Sequence, residues 1–180
     1  MRVAEYVVRF FEERGYDYVF GLPGWNVLEL YDALKSSSLE HVLFRHENSA
    51  AVAADAYGRV SGRPGLCIVT AGPGATNSVT AVAGAYAAAS PMIHVSGHCP
   101  IRAGPQPYHC VDDPLFLEKV FASVTKLSRT ARSPSEVPEL LEKGFRTATS
   151  GRPGPVHVSI PMDLLSEEVG ELRGATPIQG

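Results

Sequence analysis

The fold of this chain is decided by residues 45–97, RHENSAAVAADAYGRVSGRPGLCIVTAGPGATNSVTAVAGAYAAASPMIHVSG. Two apolar runs of strand length, at residues 66–70 and 92–96, enclose a glycine-rich turn and a stretch of small residues with helical character, Ala75 to Ala89. Strands that are apolar along their whole length are typical of a parallel sheet covered on both faces. This stretch therefore predicts a strand–helix–strand unit of an α/β protein.

The same alternation of helix and strand extends outward in both directions. The patterns predict helices at 3–11, 27–34, 47–58 and 134–149, the last with Ser133 as N-cap, and strands at 18–20, 41–44, 124–127 and 156–160. The fold class that follows is α/β, with three layers: a mostly parallel central sheet of about six strands and helices on both faces.

Length and composition set the class of protein. The 180 residues are 44% hydrophobic, and 16 basic against 19 acidic residues give a net charge of -3. These values predict one soluble domain and exclude a disordered tail or a binder of nucleic acid by bulk charge. No apolar run approaches the ~20 residues of a membrane span. Cys67, Cys99 and Cys110 form no CxxC pair and suit reduced thiols, so we expect a cytoplasmic protein.

Four segments follow the apolar strands and should meet at one edge of the sheet. They are residues 21–24, 45–47, 71–77 and 97–100. In open α/β sheets, ligands bind in the crevice beyond the carboxyl ends of the strands. The candidate functional site therefore lies where these segments converge.

The turn Gly72-Pro73-Gly74 has two interpretations. Glycines before a helix can let backbone N–H groups approach a phosphate. The dinucleotide pattern G-x-G-x-x-G is not met, however, because residue 77 is Asn. A tight strand-to-helix turn is the alternative, and the local sequence leaves both open.

Glu47 also has two interpretations. A carboxylate in the first turn of a helix is stabilised by the helix dipole and can simply cap the helix. The residues after it, from Ala50 to Ala54, carry so little side-chain bulk that another element or subunit could approach closely.

The combination of strand, Glu47, small-residue helix and GPGATN resembles the pyrimidine-binding domain of thiamine-diphosphate-dependent enzymes. It is most similar to the branch of acetolactate synthase, benzoylformate decarboxylase and pyruvate oxidase. GLPG at residues 21–24 and SGRPGPVHVSIPMDLL at 150–165 mark the start and end of the same domain. The resemblance covers residues 1–166 and implies that 167–180 are a linker or tail.

The resemblance implies roles for particular residues. Glu47 matches the glutamate that hydrogen-bonds N1′ of the aminopyrimidine ring and so promotes loss of the thiazolium C2 proton, the reactive position of the cofactor. This role requires Glu47 to hold or share a proton, which burial would favour. The positions that match the lining of the pyrimidine ring are Pro23, Gly24, Thr70, Pro73, Gly74 and Asn77. A glycine turn in this role faces an aromatic ring rather than a phosphate.

His109 is a further catalytic candidate. It lies in a loop where decarboxylases of the family carry a proton-relaying histidine, although a loop histidine is by default a solvated residue. The Phe-Gln pair usual in the acetolactate synthase branch is absent from this loop. His46 and His98 are expected to be structural, and no histidine has the spacing of a metal site.

The sequence contains neither the Gly-Asp-Gly nor the Asn-Asn with which the family holds Mg²⁺ and the diphosphate. The resemblance therefore implies that this chain binds only the pyrimidine end of thiamine diphosphate, and that Mg²⁺ belongs to another domain. That domain could follow in a longer chain, which we favour, or be a separate subunit. The isolated chain is expected to be inactive.

The function implied is decarboxylation or carboligation of a 2-oxo acid, in a homodimer or tetramer with sites between chains. The helices at 49–57 and 75–89 are the expected partner surface. An inactive binding module of the same fold is the alternative, and a Rossmann-type nucleotide enzyme is a weaker one.

Overall fold

A computed structural model describes residues 1–102, 111 and 113–170. Its strands are β1 (Tyr18–Leu22), β2 (Glu40–Leu43), β3 (Gly65–Val69), β4 (Met92–His98), β5 (Leu127–Thr130) and β6 (Pro155–Pro161). Its helices are α1 (Val3–Glu12), α2 (Leu28–Leu34), α3 (Glu47–Ser61), α4 (Pro73–Asn77), α5 (Val79–Ala87), α6 (Phe116–Ala122), α7 (Glu136–Thr149) and α8 (Met162–Leu165). A 3-10 turn, Trp25–Val27, precedes α2.

The six strands form one sheet in which every pairing is parallel. The order is β2-β1-β3-β4-β6-β5. Strands β3, β4 and β6 are buried along their whole length, as the largely apolar sequence of the sheet predicts, although β4 and β6 also bury His and Ser residues. The predicted fold class is confirmed.

Two hydrophobic cores lie on opposite faces of the sheet. One packs α1, α2, α7 and α8 around Phe10, Phe11 and Leu141. The other packs α3, α4, α5 and α6 around alanines and Phe121. This division produces the three layers: helices, sheet, helices.

The strand order places a topological switch point between β1 and β3. From β1 the chain moves outward to β2 and then crosses back over β1 to reach β3. The connections leaving β1 and β3 therefore diverge to opposite sides, and a crevice opens at the carboxyl ends of these two strands.

Several predicted boundaries differ from the observed ones. β5 begins at Leu127 rather than Val124, because Val124 and Thr125 close the end of α6 by hydrogen bonds to the carbonyl of Phe121. The predicted cap Ser133 is wrong: α7 begins after Ser135, without a side-chain cap. The helix expected over 75–89 is divided at Ser78 into α4 and α5.

The small residues of α3 are used inside the domain. Ala50, Ala51 and Ala54 are fully buried in the core that α3 shares with α5. A Cβ on Gly58 would lie 2.5 Å from the carbonyl oxygen of Pro91, so the helix lies directly on its neighbours. Internal packing accounts for these alanines, and the partner surface on α3 and α5 stays a prediction.

The segment after α8 is attached to the N-terminus. Val3 N–H donates to the carbonyl of Glu167, and Val169 N–H donates to the carbonyl of Met1, both at 2.9 Å. The domain boundary at 166 stays a prediction.

Cys99 is disulfide-bonded, so the expectation of reduced thiols is wrong for this residue, whereas the buried Cys67 is free. In the described part of the chain, no helix has the length and apolar character needed to cross a bilayer. The cytoplasmic location stays a prediction.

Candidate functional site

Five predicted site residues meet at the β1/β3 switch point. We call this group the switch-point cluster: Gly24, Glu47, Thr70, Gly74 and Asn77. Gly24 follows β1, Thr70 and Gly74 follow β3, Asn77 ends α4, and Glu47 begins α3. The convergence inferred from the sequence is confirmed by the strand order, since β2, β1, β3 and β4 are neighbours.

Glu47 is the buried acid of this cluster. It is 8% exposed, and its Oε2 accepts a hydrogen bond of 2.9 Å from Nδ2 of Asn77, thirty residues along the chain. The helix is capped by its neighbour instead, because Nδ1 of His46 accepts from the backbone N–H of Asn48 at 3.1 Å. The carboxylate of Glu47 is therefore directed to α4 and does not serve as the cap that the sequence left open.

The second carboxylate oxygen of Glu47 lies beside the glycine turn. A Cβ on Gly74 would overlap the methyl group of Thr70 and lie 3.1 Å from Oε1 of Glu47. Among the described residues, Oε1 has no hydrogen-bond donor. An acid with one oxygen fixed and one open, in a buried position, is suited to hold or pass a proton to a ligand.

Gly24 forms the other wall of the crevice. A Cβ at this position would lie 2.6 Å from Cβ and 2.8 Å from Oγ1 of Thr70, so any side chain would displace the strand end. Gly72 reverses the chain after β3 with a φ of 55°, a conformation that favours glycine. Gly24 and Gly74 therefore let the backbone on both sides pack directly against the Thr70 side chain.

The strands below the cluster are tied together by Tyr31. Its hydroxyl donates to the carbonyl of Ile68 in β3 at 2.9 Å, and burial raises its pKa. Gly21 of β1 is covered by this hydroxyl, because a Cβ there would overlap it. Burial, with a smaller contribution from the nearby Glu47, raises the pKa of the Cys67 thiol in β3, so Cys67 is an inert part of this floor.

The remaining predicted residues flank the cluster or fall elsewhere. Pro23 precedes Gly24 in the loop after β1, and Pro73 is the first residue of α4; both are exposed. His109 lies outside the described residues, so its catalytic role stays a prediction. His41 is an edge-strand residue whose pKa is lowered by burial.

Two other histidines lie in the core, paired across β4 and β6. The hydroxyl of Ser159 donates to the carbonyl of Gly97, and that of Ser96 donates to Ser159. Ser96 must then accept from Nε2–H of His157, at 2.9 Å, and Nδ1 of His157 accepts from Ser128 at 3.0 Å. Burial lowers the pKa of His157, so its ring is neutral and Nδ1 can accept from Ser128 in this directed chain of hydrogen bonds.

The same reasoning fixes His94. The hydroxyl of Ser78 donates to the carbonyl of Ala75, so it accepts from Nε2–H of His94 at 2.7 Å. Nδ1 of His94 is buried without a partner among the described residues. The rings of both histidines pack against the ring of Phe121. Among the described residues, neither histidine forms a hydrogen bond with a member of the switch-point cluster.

Sequence reasoning missed Asn26 and Trp25, the two residues that follow Gly24. Asn26 is 5% exposed, although asparagine is rarely buried, and its contacts come from distant β4. Trp25 is 65% exposed at the rim of the crevice. The only available signal was their place directly after a glycine at a strand end.

The cluster combines bare backbone with two polar side chains. Gly24 and Gly74 supply walls without side chains, and Glu47 and Asn77 supply an acid and an amide at one end. A phosphate would instead require free backbone N–H groups or basic side chains, and the cluster contains no Lys or Arg.

Comparison with known proteins identifies the family of this chain. Residues 1–113 match the family model described as thiamine pyrophosphate enzyme, N-terminal TPP binding domain. A probable acetolactate synthase large subunit of Methanocaldococcus jannaschii is 42% identical over 170 residues, covering 94% of this chain and 28% of the relative.

Two further relatives are named as a decarboxylase and as an acetolactate synthase. A probable 2-ketoarginine decarboxylase of Pseudomonas aeruginosa is 41% identical over 163 residues, covering 91% of this chain and 29% of the relative. Acetolactate synthase isozyme 1 large subunit of Escherichia coli is 39% identical over 163 residues, covering 89% and 28%. The chain thus spans less than a third of the length of these relatives. Because the family model matches more than half of the chain, the chain belongs to the thiamine pyrophosphate enzymes, through their N-terminal TPP-binding domain.

Proposed function

We propose that this chain supplies the pyrimidine-binding half of a thiamine-diphosphate-dependent 2-oxo acid decarboxylase or carboligase, similar to acetolactate synthase. The observation that carries the proposal is the buried carboxylate of Glu47, held by Asn77 beside Gly74. The relatives named as acetolactate synthases and as a 2-ketoarginine decarboxylase support the reaction class.

Each residue of the cluster has a part in this function. Oε1 of Glu47 holds the proton that it shares with a ring nitrogen of the aminopyrimidine, while the Asn77 amide keeps Oε2 in place. The backbone of Gly24 and Gly74, packed against Thr70, would border the ring without a side chain of their own. Pro23 and Pro73 border the opening. When bound, the cofactor supplies an acidic carbon that adds to the substrate carbonyl and accepts the electrons released on decarboxylation.

The diphosphate and Mg²⁺ are assigned to a different domain. The sequence lacks the Gly-Asp-Gly and Asn-Asn that the resemblance requires for them, and the relatives are more than three times as long as this chain. We place that domain in the same longer chain or in a partner subunit, with homodimers or tetramers as the assembly. Titration of thiamine diphosphate and Mg²⁺ into the 180-residue chain by calorimetry should show weak binding or none. Tight binding would contradict this division of the site.

The test of the function is an activity assay. The chain, joined to or mixed with its diphosphate-binding domain, should decarboxylate 2-oxo acids in the presence of thiamine diphosphate and Mg²⁺. Glu47→Gln keeps the size of the side chain and removes its proton-holding capacity, so the rate should fall by roughly 10²- to 10⁴-fold. Glu13→Gln, at an exposed glutamate on the opposite side of the sheet, is the matched control and should retain the rate. Near-full activity of the Glu47→Gln enzyme would show that the assigned role is wrong.

A further inference from the structure

Asn26 is a buried amide directly behind the wall of the switch-point cluster. It lies in the 3-10 turn that follows Gly24, and this turn is closed by a hydrogen bond of 3.1 Å from Val27 N–H to the carbonyl of Gly24. The side chain is 5% exposed, although polar residues of this type are mostly on protein surfaces. Its position therefore needs a reason.

The contacts of Asn26 are with the carboxyl end of β4 and with the first residue of α8. Its Nδ2 donates to the carbonyl of His98 at 3.5 Å and lies 4.0 Å from the sulfur of Met162. Gly97 lets the turn approach β4 closely, because a Cβ there would lie 2.7 Å from the carbonyl oxygen and 2.9 Å from the Cβ of Asn26. The turn is thus held against β4 by its close packing on Gly97 and by the hydrogen bond from the buried Asn26 amide to the His98 carbonyl.

The same turn fixes Gly24. A Cβ on Gly24 would lie 2.6 Å from Thr70, so Gly24 already touches the end of β3 with no free space. Thr70 in turn faces Gly74, which lies beside Oε1 of Glu47. A displacement of the turn at Asn26 would therefore move Gly24 against Thr70, and with them the side of the crevice that they form.

We propose that Asn26 is a positioning residue for cofactor binding, which acts through Gly24 and Thr70 and is seated by the bare backbone of Gly97. The inference rests on the proposed function, because it assigns the crevice to the aminopyrimidine ring. Asn26 itself is two residues beyond the wall and acts on the width of the crevice. Loss of this seat lowers affinity for the cofactor and leaves the chemistry of Glu47 intact.

The experiment uses the enzyme assembled with its diphosphate-binding domain and measures two quantities. One is the concentration of thiamine diphosphate that gives half-maximal activation, and the other is kcat at saturating cofactor. Asn26→Ala removes the buried amide without adding bulk, and we expect half-maximal activation to need about three- to tenfold more cofactor, the effect of one lost hydrogen bond. Gly97→Ala should act in the same direction by pushing the turn outward. In both variants kcat at saturation should stay within about twofold of wild type.

The matched control is Gly144→Ala, at a buried glycine of α7. A Cβ there would lie 3.5 Å from Val156 and 3.6 Å from Val158, which is ordinary contact, so its cofactor requirement should not change. An unchanged cofactor requirement in both Asn26→Ala and Gly97→Ala would overturn the positioning role, as would a loss of kcat that saturating cofactor does not restore. A wild-type enzyme that binds no thiamine diphosphate would refute the proposed function itself, an outcome that direct calorimetry separates from the other two.

Discussion

The buried histidines of β4 and β6 should make this domain unusually sensitive to acid. His94 and His157 are fully buried, and burial lowers the pKa of His94 to about 3. The pKa of His157 is lowered well below its usual value by burial, and further by the neighbouring His94 and His98. In the unfolded chain both groups have a pKa of ~6.5.

The sign of the effect follows from proton binding. Between the folded and unfolded pKa values the unfolded state binds more protons, so the free energy of unfolding decreases as the pH falls below ~6.5. For one such histidine the loss between pH 7 and pH 5 is about 2 kcal/mol, and for two it is about 4 kcal/mol. This is a large part of the ~5–15 kcal/mol that stabilises a typical domain.

The assay is urea unfolding, followed by circular dichroism at several pH values from 7 to 5. The double variant His94→Gln, His157→Gln cannot take up these protons, so its stability should fall by about 4 kcal/mol less than that of wild type over this range. Its stability at pH 7 will be lower, because the hydrogen bonds to Ser96 and Ser128 change, but the test is the pH dependence. An equal loss in wild type and double variant would refute the reasoning.

Three shorter predictions concern the crevice and its floor. Gly74→Ala should destabilise the chain by about 1–3 kcal/mol in urea unfolding, because the added methyl overlaps Thr70, and should weaken cofactor binding in the assembled enzyme; unchanged stability and binding would contradict the packing described. Cys67 should resist alkylation in the folded chain and react only in denaturant, because burial raises the pKa of its thiol. Peptide mass spectrometry after timed exposure to iodoacetamide measures this, and alkylation of Cys67 in the folded chain would contradict it. Asn77→Ala should lower kcat more than it raises the cofactor concentration needed for half-maximal activity, because it removes the hydrogen bond to Glu47 Oε2 and leaves Gly24 and Gly74 unchanged. The opposite pattern in steady-state kinetics would show that Asn77 binds the aminopyrimidine ring itself.

Much of the fold could be predicted from local sequence. The apolar runs of β3 and β4 and the small residues between them identify a parallel sheet because such strands are buried on both faces. The bounds of β5 were harder to predict, because the buried positions of this strand, LSRT, carry the polar side chains of Ser128 and Thr130. Ser128 is buried there because it donates to His157, a partner 29 residues away that no local pattern reveals.

The candidate site was likewise predictable from local sequence only in part. The motif around Glu47 and GPGATN identified the residues, but their spatial relation depends on the strand order, which one sequence does not reveal. The hydrogen bond from Asn77 to Glu47 joins two helices, and only the structure distinguishes it from a helix cap. Asn26 was missed because its contacts with β4 and α8 lie 71 or more positions away along the chain and leave no periodic signal.

The most direct test of the central claim is the rate at which bound thiamine diphosphate loses its C2 proton. The enzyme, assembled with its diphosphate-binding domain and saturated with cofactor, is mixed with D₂O, quenched in acid at set times, and the remaining C2 proton is measured by NMR. If Glu47 activates the cofactor, Glu47→Gln should slow this exchange by roughly 10²- to 10⁴-fold while Glu13→Gln leaves it unchanged. Exchange at the wild-type rate in Glu47→Gln would contradict the assignment of the switch-point cluster as the cofactor-activating site.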